Sequence, residues 1–226
     1  MKNSYDNRVV LKPWGEEYNI FRNNNKIAIT YLKIKKGFAT SLHCHPNKKT
    51  GFLILKGTAE VQIGIYKNNI KKYGPMSILV LRSGLFHRIK ASKISDLFAL
   101  EIENPYIKND LIRMQDDYGR KNKGYEKLNN TRALDKNDLV FNIPKKNLKN
   151  KYKLNNIKIE ISYYKNFKDL NSYDDKSISI ILDGKIISKQ KKIVITTGEI
   201  VKSYTLKQLA KYFKIQNKIL LLRAKK

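Results

Sequence analysis

The stretch that decides the fold of this 226-residue chain is Gly37-Phe38-Ala39-Thr40-Ser41-Leu42-His43-Cys44-His45, which Lys56-Gly57 closes. The chain has only three histidines, and two of them stand here one residue apart. Residues i and i+2 of a β-strand point to the same side, so His43 and His45 direct two imidazoles to one point. The third, His87, follows the turn Ser83-Gly84 after the apolar segment Ser77–Leu81. This pattern predicts a metal site made of three histidines.

The same residues match the two sequence motifs of the cupins. The first motif runs Gly, five residues, His-x-His, three or four residues, Glu, six residues, Gly, and its places are filled here by Gly37, His43, His45, Thr50 and Gly57. Thr50 therefore stands where the motif has glutamate. The second motif runs Pro-x-Gly-x-x-His-x-x-x-Asn and is matched by Gly84 and His87, while Arg82 and Ala91 replace its proline and asparagine.

Two flanking segments narrow the resemblance. Lys12-Pro13-Trp14-Gly15 resembles the opening of the mannose-6-phosphate isomerase type II cupin, and Asp110–Arg113 with Asp116–Arg120 resembles its closing segment. The resemblance covers residues 10–120. It implies an all-β cupin fold, a double-stranded β-helix or jelly-roll barrel. It also implies one divalent transition metal (Zn, Fe, Mn, Ni or Co) and a small-molecule sugar phosphate or nucleotide sugar as partner.

Composition limits the other partners. The formal charge of +28 would attract anions, but the lysines are scattered from end to end and form no recognition helix, so a nucleic acid is not the expected partner. No run of eighteen apolar residues exists, which predicts no membrane span. A single cysteine and an N-terminal segment unlike a secretory signal predict a cytoplasmic protein. Cys44 itself is expected to be a small buried residue.

Strand-like segments predict two tandem barrels. The predicted domains are a metal-binding barrel at residues 1–115, a linker at 116–135 and a second β domain at 136–226. Gly51–Ile65 is predicted to be a hairpin that turns at Lys56-Gly57. Asn109–Gln115 is either a short helix or a crossing strand.

The second half repeats the first in weakened form. Setting Gly184 on Gly57 puts Leu170 and Ser172 at the places of His43 and His45, and setting Gly198 on Gly84 puts Val201 at the place of His87. We therefore predict a degenerate, cupin-like second barrel without metal ligands, with a helical turn at Leu206–Phe213. A generic small β domain is the alternative, because hairpin turns recur in many folds.

Other side chains near the motifs are candidates for catalysis and substrate binding. Glu101 and Glu103 share one face of a strand, and either supply a missing carboxylate as ligand or general base or belong to a solvated face. Substrate binding through a phosphate or carboxylate is assigned to Arg82, Lys48 and Arg88. The Asp–Arg pairing of the closing segment is expected to be structural.

Three functions are compatible with these residues. The leading one is a metal-dependent isomerase or epimerase that acts on a phosphorylated or nucleotide-linked sugar in polysaccharide biosynthesis. The second is a three-histidine Fe(II) dioxygenase, motivated by the missing glutamate. The third is a non-catalytic sugar-binding or regulatory cupin. A homodimer is a further expectation.

Overall fold

β-Strands make up most of the protein, as the sequence predicts. The computed structural model describes residues 7–107, 109–120, 130–145, 148–170 and 174–226. The chain divides into two compact units, residues 1–140 and 141–226. The described strands of the first unit are β1 (Arg8–Lys12), β2 (Gly15–Asn23), β3 (Ile27–Ile34), β4 (Leu42–Cys44), β5 (Lys49–Lys56), β6 (Ala59–Ile63), β7 (Ile70–Tyr73), β8 (Ile78–Leu81), β9 (His87–Ala91), β10 (Leu97–Asn104), β11 (Ile112–Gln115) and β12 (Thr131–Ala133).

These strands form two antiparallel sheets. One has the order β12-β1-β2-β3-β10-β5-β8 and the other the order β11-β4-β9-β6-β7. A hydrophobic core joins them, with Trp14, Phe52 and Ile54 on one side and Val61 and Ile89 on the other. Burying each such apolar side chain contributes about 1.5–3 kcal/mol to folding. The double-sheet barrel expected for the first unit is therefore present, and Trp14 is one of its anchors.

The predicted hairpin at Gly51–Ile65 is wrong. β5 pairs with β10 and β8, whereas β6 pairs with β9 and β7, so the chain crosses from one sheet to the other at Gly57. Gly57 has φ of +84°, and a Cβ there would collide with the carbonyl group of Asp96. Glycine is required at this crossing because L side chains rarely adopt that backbone conformation.

The boundary between the units lies beyond the predicted linker. β12 pairs with β1, which places Thr131–Ala133 in the first unit, and the division falls between Val140 and Phe141 rather than at residue 136. Part of the predicted linker, residues 121–129, lies outside the described residues. The strand alternative holds for Asn109–Gln115, because β11 pairs with β4.

The second unit is built on one antiparallel sheet within the described ranges. Its order is β13-β14-β18-β15-β16, and β17 also pairs with β15. The helix α1 (Ser203–Leu209) overlaps the predicted helical turn at Leu206–Phe213 but begins and ends earlier. The strands are β13 (Lys149–Leu154), β14 (Ile157–Tyr164), β15 (Ile178–Ile187), β16 (Ile193–Thr196), β17 (Ile200–Lys202) and β18 (Lys214–Lys225).

One glycine in each unit has a positive φ and a close backbone neighbour. Gly184, like Gly57, has a positive φ, and a Cβ there would collide with a carbonyl group, that of Lys218. The surroundings differ, because β15 continues through Gly184 with shifts of register, whereas β5 ends before Gly57. Leu170 is buried in a short 3-10 helix, and Ser172 lies outside the described residues. The second cupin barrel stays a prediction.

Within the described ranges, no helix has the length and apolar character needed to cross a bilayer.

Candidate metal centre

The three histidines meet between the two sheets of the first unit. His43 in β4 lies directly opposite His87, the first residue of β9, and His45 follows the end of β4. The ring centroids are 4.6 Å apart for His43 and His87, 5.0 Å for His43 and His45, and 5.5 Å for His45 and His87. Each ring has a nitrogen within 4.8 Å of a nitrogen of the other two, so one metal ion can contact all three.

Backbone carbonyl groups fix the orientation of each imidazole. Nδ1 of His43 lies 2.8 Å from the carbonyl oxygen of Ser41, that of His45 lies 2.6 Å from the oxygen of Asp110, and that of His87 lies 3.0 Å from the oxygen of Leu85. Since a carbonyl oxygen only accepts, each Nδ1 donates a hydrogen and each Nε2 keeps its lone pair.

Two of the three free lone pairs are buried. Nε2 of His45 and Nε2 of His87 have no hydrogen-bond partner among the described residues. A buried acceptor without a partner carries a desolvation cost, which a bound cation would remove. The site therefore fits a metal ion held by Nε2 atoms.

The histidines are neutral in the folded protein. Burial is the main cause that lowers the pKa of His45 to about 3 and of His87 to about 4, and it lowers the pKa of His43 well below the ordinary value. The positive charge of Lys48 adds to the effect on His45 and His87. Neutral imidazole is the form that binds a transition metal.

Two carboxylates face the same space. Glu101 and Glu103 of β10 line the cavity, and Oε1 of Glu101 lies 3.9 Å from Nε2 of His45. Burial, followed by the charge of the neighbouring carboxylate, raises the pKa of Glu101 well above its usual value. Burial also raises the pKa of Glu103, against the opposing effect of Lys48. The solvated-face alternative for these residues is therefore wrong.

Lys48 lies at the bottom of the site. It is 1% exposed, and its ammonium group donates to Glu103 and, at 3.2 Å, to the carbonyl oxygen of Ile107. Asp110 holds the loop that carries Lys48, since its carboxylate accepts hydrogen bonds from the backbone amides of Asn47 and Lys48. Lys48 thus acts on a carboxylate and does not line the cavity where a substrate would bind.

The two arginines predicted to bind substrate lie elsewhere. Arg82 is exposed and donates to the carbonyl oxygen of Ser83. Arg88 follows His87 in β9 and therefore points to the opposite face of its sheet, where it pairs with Asp117. Neither lines the cavity that holds the histidines. We correct both assignments for this reason.

The sequence did not identify the cationic side chains that do line this cavity. The cavity has a volume of about 130 Å³, room for a small ligand, and its lining includes Arg8, Lys12, Arg113 and Arg120. Lys12 pairs with Glu17 at 3.3 Å, and Arg120 pairs with Asp116 at 2.7 Å within the closing segment. Arg8, Val10 and Lys12 alternate along β1 and therefore point to the same side of the strand. This alternation is the sequence signal that could have placed Arg8 and Lys12 at the cavity.

The position of the missing glutamate is buried. Thr50 is 2% exposed, lies opposite Glu103 in the pairing of β5 with β10, and its hydroxyl has no hydrogen-bond partner among the described residues. Cys44 is a free, buried thiol, as expected.

A double-sheet barrel with three convergent histidines defines the first unit as a cupin domain. The chain belongs to the mannose-6-phosphate isomerase C-terminal family, whose model matches residues 2–117. It is similar to the xanthan biosynthesis protein XanB in two strains of Xanthomonas campestris pv. campestris, with 28% identity over 119 residues. That match covers 50% of this chain and 24% of XanB, so the chain spans about a quarter of the relative's length.

Part of the chain is similar to several solved structures. CapF of Staphylococcus aureus, a capsular polysaccharide assembling protein, has a TM-score of 0.42 and 15% identity, over 48% of this chain and 34% of CapF. KdgF from Halomonas sp. has a TM-score of 0.38 and 14% identity, over 42% of this chain and 84% of KdgF. A double-stranded β-helix protein from Klebsiella pneumoniae has a TM-score of 0.39 and 15% identity, over 44% and 80% of the two chains.

Proposed function

We propose that the first unit is a metal-dependent enzyme that isomerises or epimerises a phosphorylated or nucleotide-linked sugar in polysaccharide biosynthesis. The observation that carries the proposal is the convergence of three imidazoles on a cavity that also holds the buried Glu103, the largely buried Glu101 and four cationic side chains. Membership of the mannose-6-phosphate isomerase C-terminal family and the likeness to a xanthan biosynthesis protein support a sugar substrate.

His43, His45 and His87 would hold one divalent metal through Nε2. When bound, the metal supplies a Lewis acid that polarises a sugar carbonyl group. The hydrogen bonds from each Nδ1 to a backbone carbonyl fix the ring orientations in the metal-free protein. The rings therefore lose little rotational freedom when the metal binds.

The carboxylates Glu101 and Glu103 would move the proton. In an aldose–ketose isomerisation a base takes the proton from the carbon next to the carbonyl and returns it to the neighbouring carbon. Burial raises the pKa of both groups, which brings a carboxyl closer to the pH at which it can both accept and release a proton.

Arg8 is the side chain best placed to bind the phosphate. Its Nε donates to Oγ1 of Thr131 at 2.6 Å and its Nη2 to the Thr131 carbonyl oxygen at 3.3 Å, so its charge meets neutral acceptors within the described chain. Lys12 and Arg120 are each offset by an acidic neighbour, Glu17 and Asp116. A guanidinium without an acidic partner favours an anionic substrate group.

A three-histidine Fe(II) dioxygenase is the second candidate. The observation that favours it is Thr50, a neutral side chain at the place where the family's motif has glutamate. Metal identity and oxygen consumption separate it from the isomerase.

A solvent-exchange assay tests the proposal. The protein is loaded in turn with Zn²⁺, Mn²⁺, Fe²⁺, Co²⁺ or Ni²⁺ and incubated in D₂O with hexose phosphates and with nucleotide-linked sugars that carry a keto group. NMR then measures deuterium entering the carbon next to the carbonyl. We expect incorporation with the wild type, loss in His45→Ala, a raised KM in Arg8→Gln, and no change in the control Arg82→Ala. Oxygen uptake without exchange would instead support the dioxygenase, and sugar binding without either reaction would support a non-catalytic cupin.

A further inference from the structure

We propose that Glu101 of β10 is a metal ligand, and that it replaces the glutamate which the family's first motif has at the position of Thr50. This inference rests on the proposed metal site and gives Glu101 and Glu103 different tasks.

The strand register places Glu101 and Glu103 beside the missing ligand. Thr50 in β5 lies opposite Glu103 in β10, and Phe52 lies opposite Glu101. Side chains directly opposite on adjacent antiparallel strands have Cβ atoms about 4.5–5.5 Å apart, so a carboxylate on β10 can reach the space that a glutamate on β5 would fill. Thr50 cannot fill it, because its side chain is short and its buried hydroxyl has no partner among the described residues.

Lys48 decides which of the two carboxylates is left for the metal. Its buried ammonium group binds Glu103 and the carbonyl oxygen of Ile107. Glu101 has no hydrogen bond within the described chain, and its ion-pair partner is His45, a neutral imidazole in the metal-free protein. Lys48 is therefore bonded to Glu103, whereas Glu101 has no directly bonded cation within the described chain and is acted on by Lys48 and Lys12 only through space.

Distance and charge both fit ligation by Glu101. Bonds of about 2.0–2.2 Å from one ion place two ligand atoms about 3–4 Å apart. The separation of Oε1 of Glu101 and Nε2 of His45 is 3.9 Å. Three neutral imidazoles leave the full charge of a divalent ion uncompensated, and a buried carboxylate without a partner is costly. The ion and Glu101 would remove both problems at once, and Glu103 would remain for proton transfer.

The test is the metal affinity of the full chain after its metal has been removed with a chelator. Zn²⁺ and Co²⁺ are titrated against a chromophoric competitor, and the Co²⁺ absorption spectrum reports the ligand set. We expect Glu101→Gln to raise the dissociation constant for the metal about tenfold or more. Mutation of residues that only support the ligands already lowers metal affinity by about 10–100-fold. The double variant Lys48→Met with Glu103→Gln removes the neighbouring charge pair together and should change the affinity less than threefold. Adding Thr50→Glu to Glu101→Gln should recover most of the loss and the wild-type spectrum.

The outcomes separate this inference from the proposed function. A wild type that binds neither ion would overturn both. A wild type that binds, with equal affinity in Glu101→Gln, would overturn the ligand role and leave the three-histidine site intact. An equal loss in the Lys48–Glu103 double variant would overturn the division between the carboxylates. Failure of Thr50→Glu to restore binding would contradict the claim that Glu101 does the work of the missing glutamate.

Discussion

His43 and His87 lie directly opposite each other on the neighbouring strands β4 and β9, with ring centroids 4.6 Å apart. The pairing of two backbones therefore sets the distance between two ligands that are 44 positions apart in the chain. The third ligand, His45, is held by the carbonyl oxygen of Asp110 next to β11, so its ring depends on the closing segment of the first unit.

Acid should destabilise the metal-free protein through its histidines. The pKa of His87 is lowered to about 4, so between pH 4 and about 6.5 the unfolded chain binds a proton that the folded chain does not. Stability is then lost as the pH falls through this window. The neutral variant His87→Gln should lose less stability than the wild type between pH 7 and pH 4.5. Urea unfolding with a chelator present measures this, and equal losses would contradict a buried, neutral His87.

Glu101 should have the opposite pH dependence. Its pKa is raised, so above about pH 4.5 the folded chain retains a proton that the unfolded chain releases, and stability falls as the pH rises. In metal-free protein the variant Glu101→Gln should gain stability over the wild type as the pH increases from 4.5 to 8. Saturating Zn²⁺ should offset or reverse this difference, because it stabilises the chain with the lower dissociation constant by the larger amount. A stability difference that does not vary with pH would show that Glu101 is not buried as a free carboxyl.

Removing Lys48 alone should destabilise the protein more than removing Lys48 and Glu103 together. Lys48→Met leaves a buried carboxylate without its partner and should cost about 3–5 kcal/mol in the free energy of unfolding. The double variant with Glu103→Leu removes both charges and should cost much less. Chemical unfolding of the single and double variants checks this, and additive losses would mean that the two side chains do not act on each other.

The sequence predicted the histidines of the site but not the positions of Glu101 and Arg88. The histidines were predictable because His-x-His in a strand has a fixed geometry. The inward direction of Glu101 was not, because β10 is buried on both faces and its apolar residues do not alternate. Arg88 was assigned by nearness in sequence to His87, although strand alternation turns adjacent residues to opposite faces.

The strand pairing was less predictable than the strands themselves. Lys56-Gly57 has the composition of a hairpin turn, yet β5 and β6 belong to different sheets. A turn signal marks a change of direction and does not say which strand will be the next partner. Likewise, nothing in the local sequence shows that β12 pairs with β1, more than 120 positions away.

The crossing at Gly57 can be tested against a matched glycine. Gly57 and Gly64 have φ of +84° and +81°, but a Cβ at Gly64 would meet nothing within 4 Å, whereas one at Gly57 would collide with Asp96. Both alanine variants carry the left-handed backbone cost of about 1–2 kcal/mol. Gly57→Ala should lower the free energy of unfolding by at least about 1 kcal/mol more than Gly64→Ala does, as expected for an overpacked site. Equal unfolding free energies would show that the close approach to Asp96 is not needed.

The metal content of protein purified without an affinity tag tests the central claim most directly. Elemental analysis of the wild type should find about one divalent transition metal ion per chain, which the three Nε2 atoms hold. His43→Ala, His45→Ala and His87→Ala should each lose most of it, and Arg82→Ala, outside the cavity, should keep it. Wild-type metal content in all three histidine variants would contradict the assignment of this site.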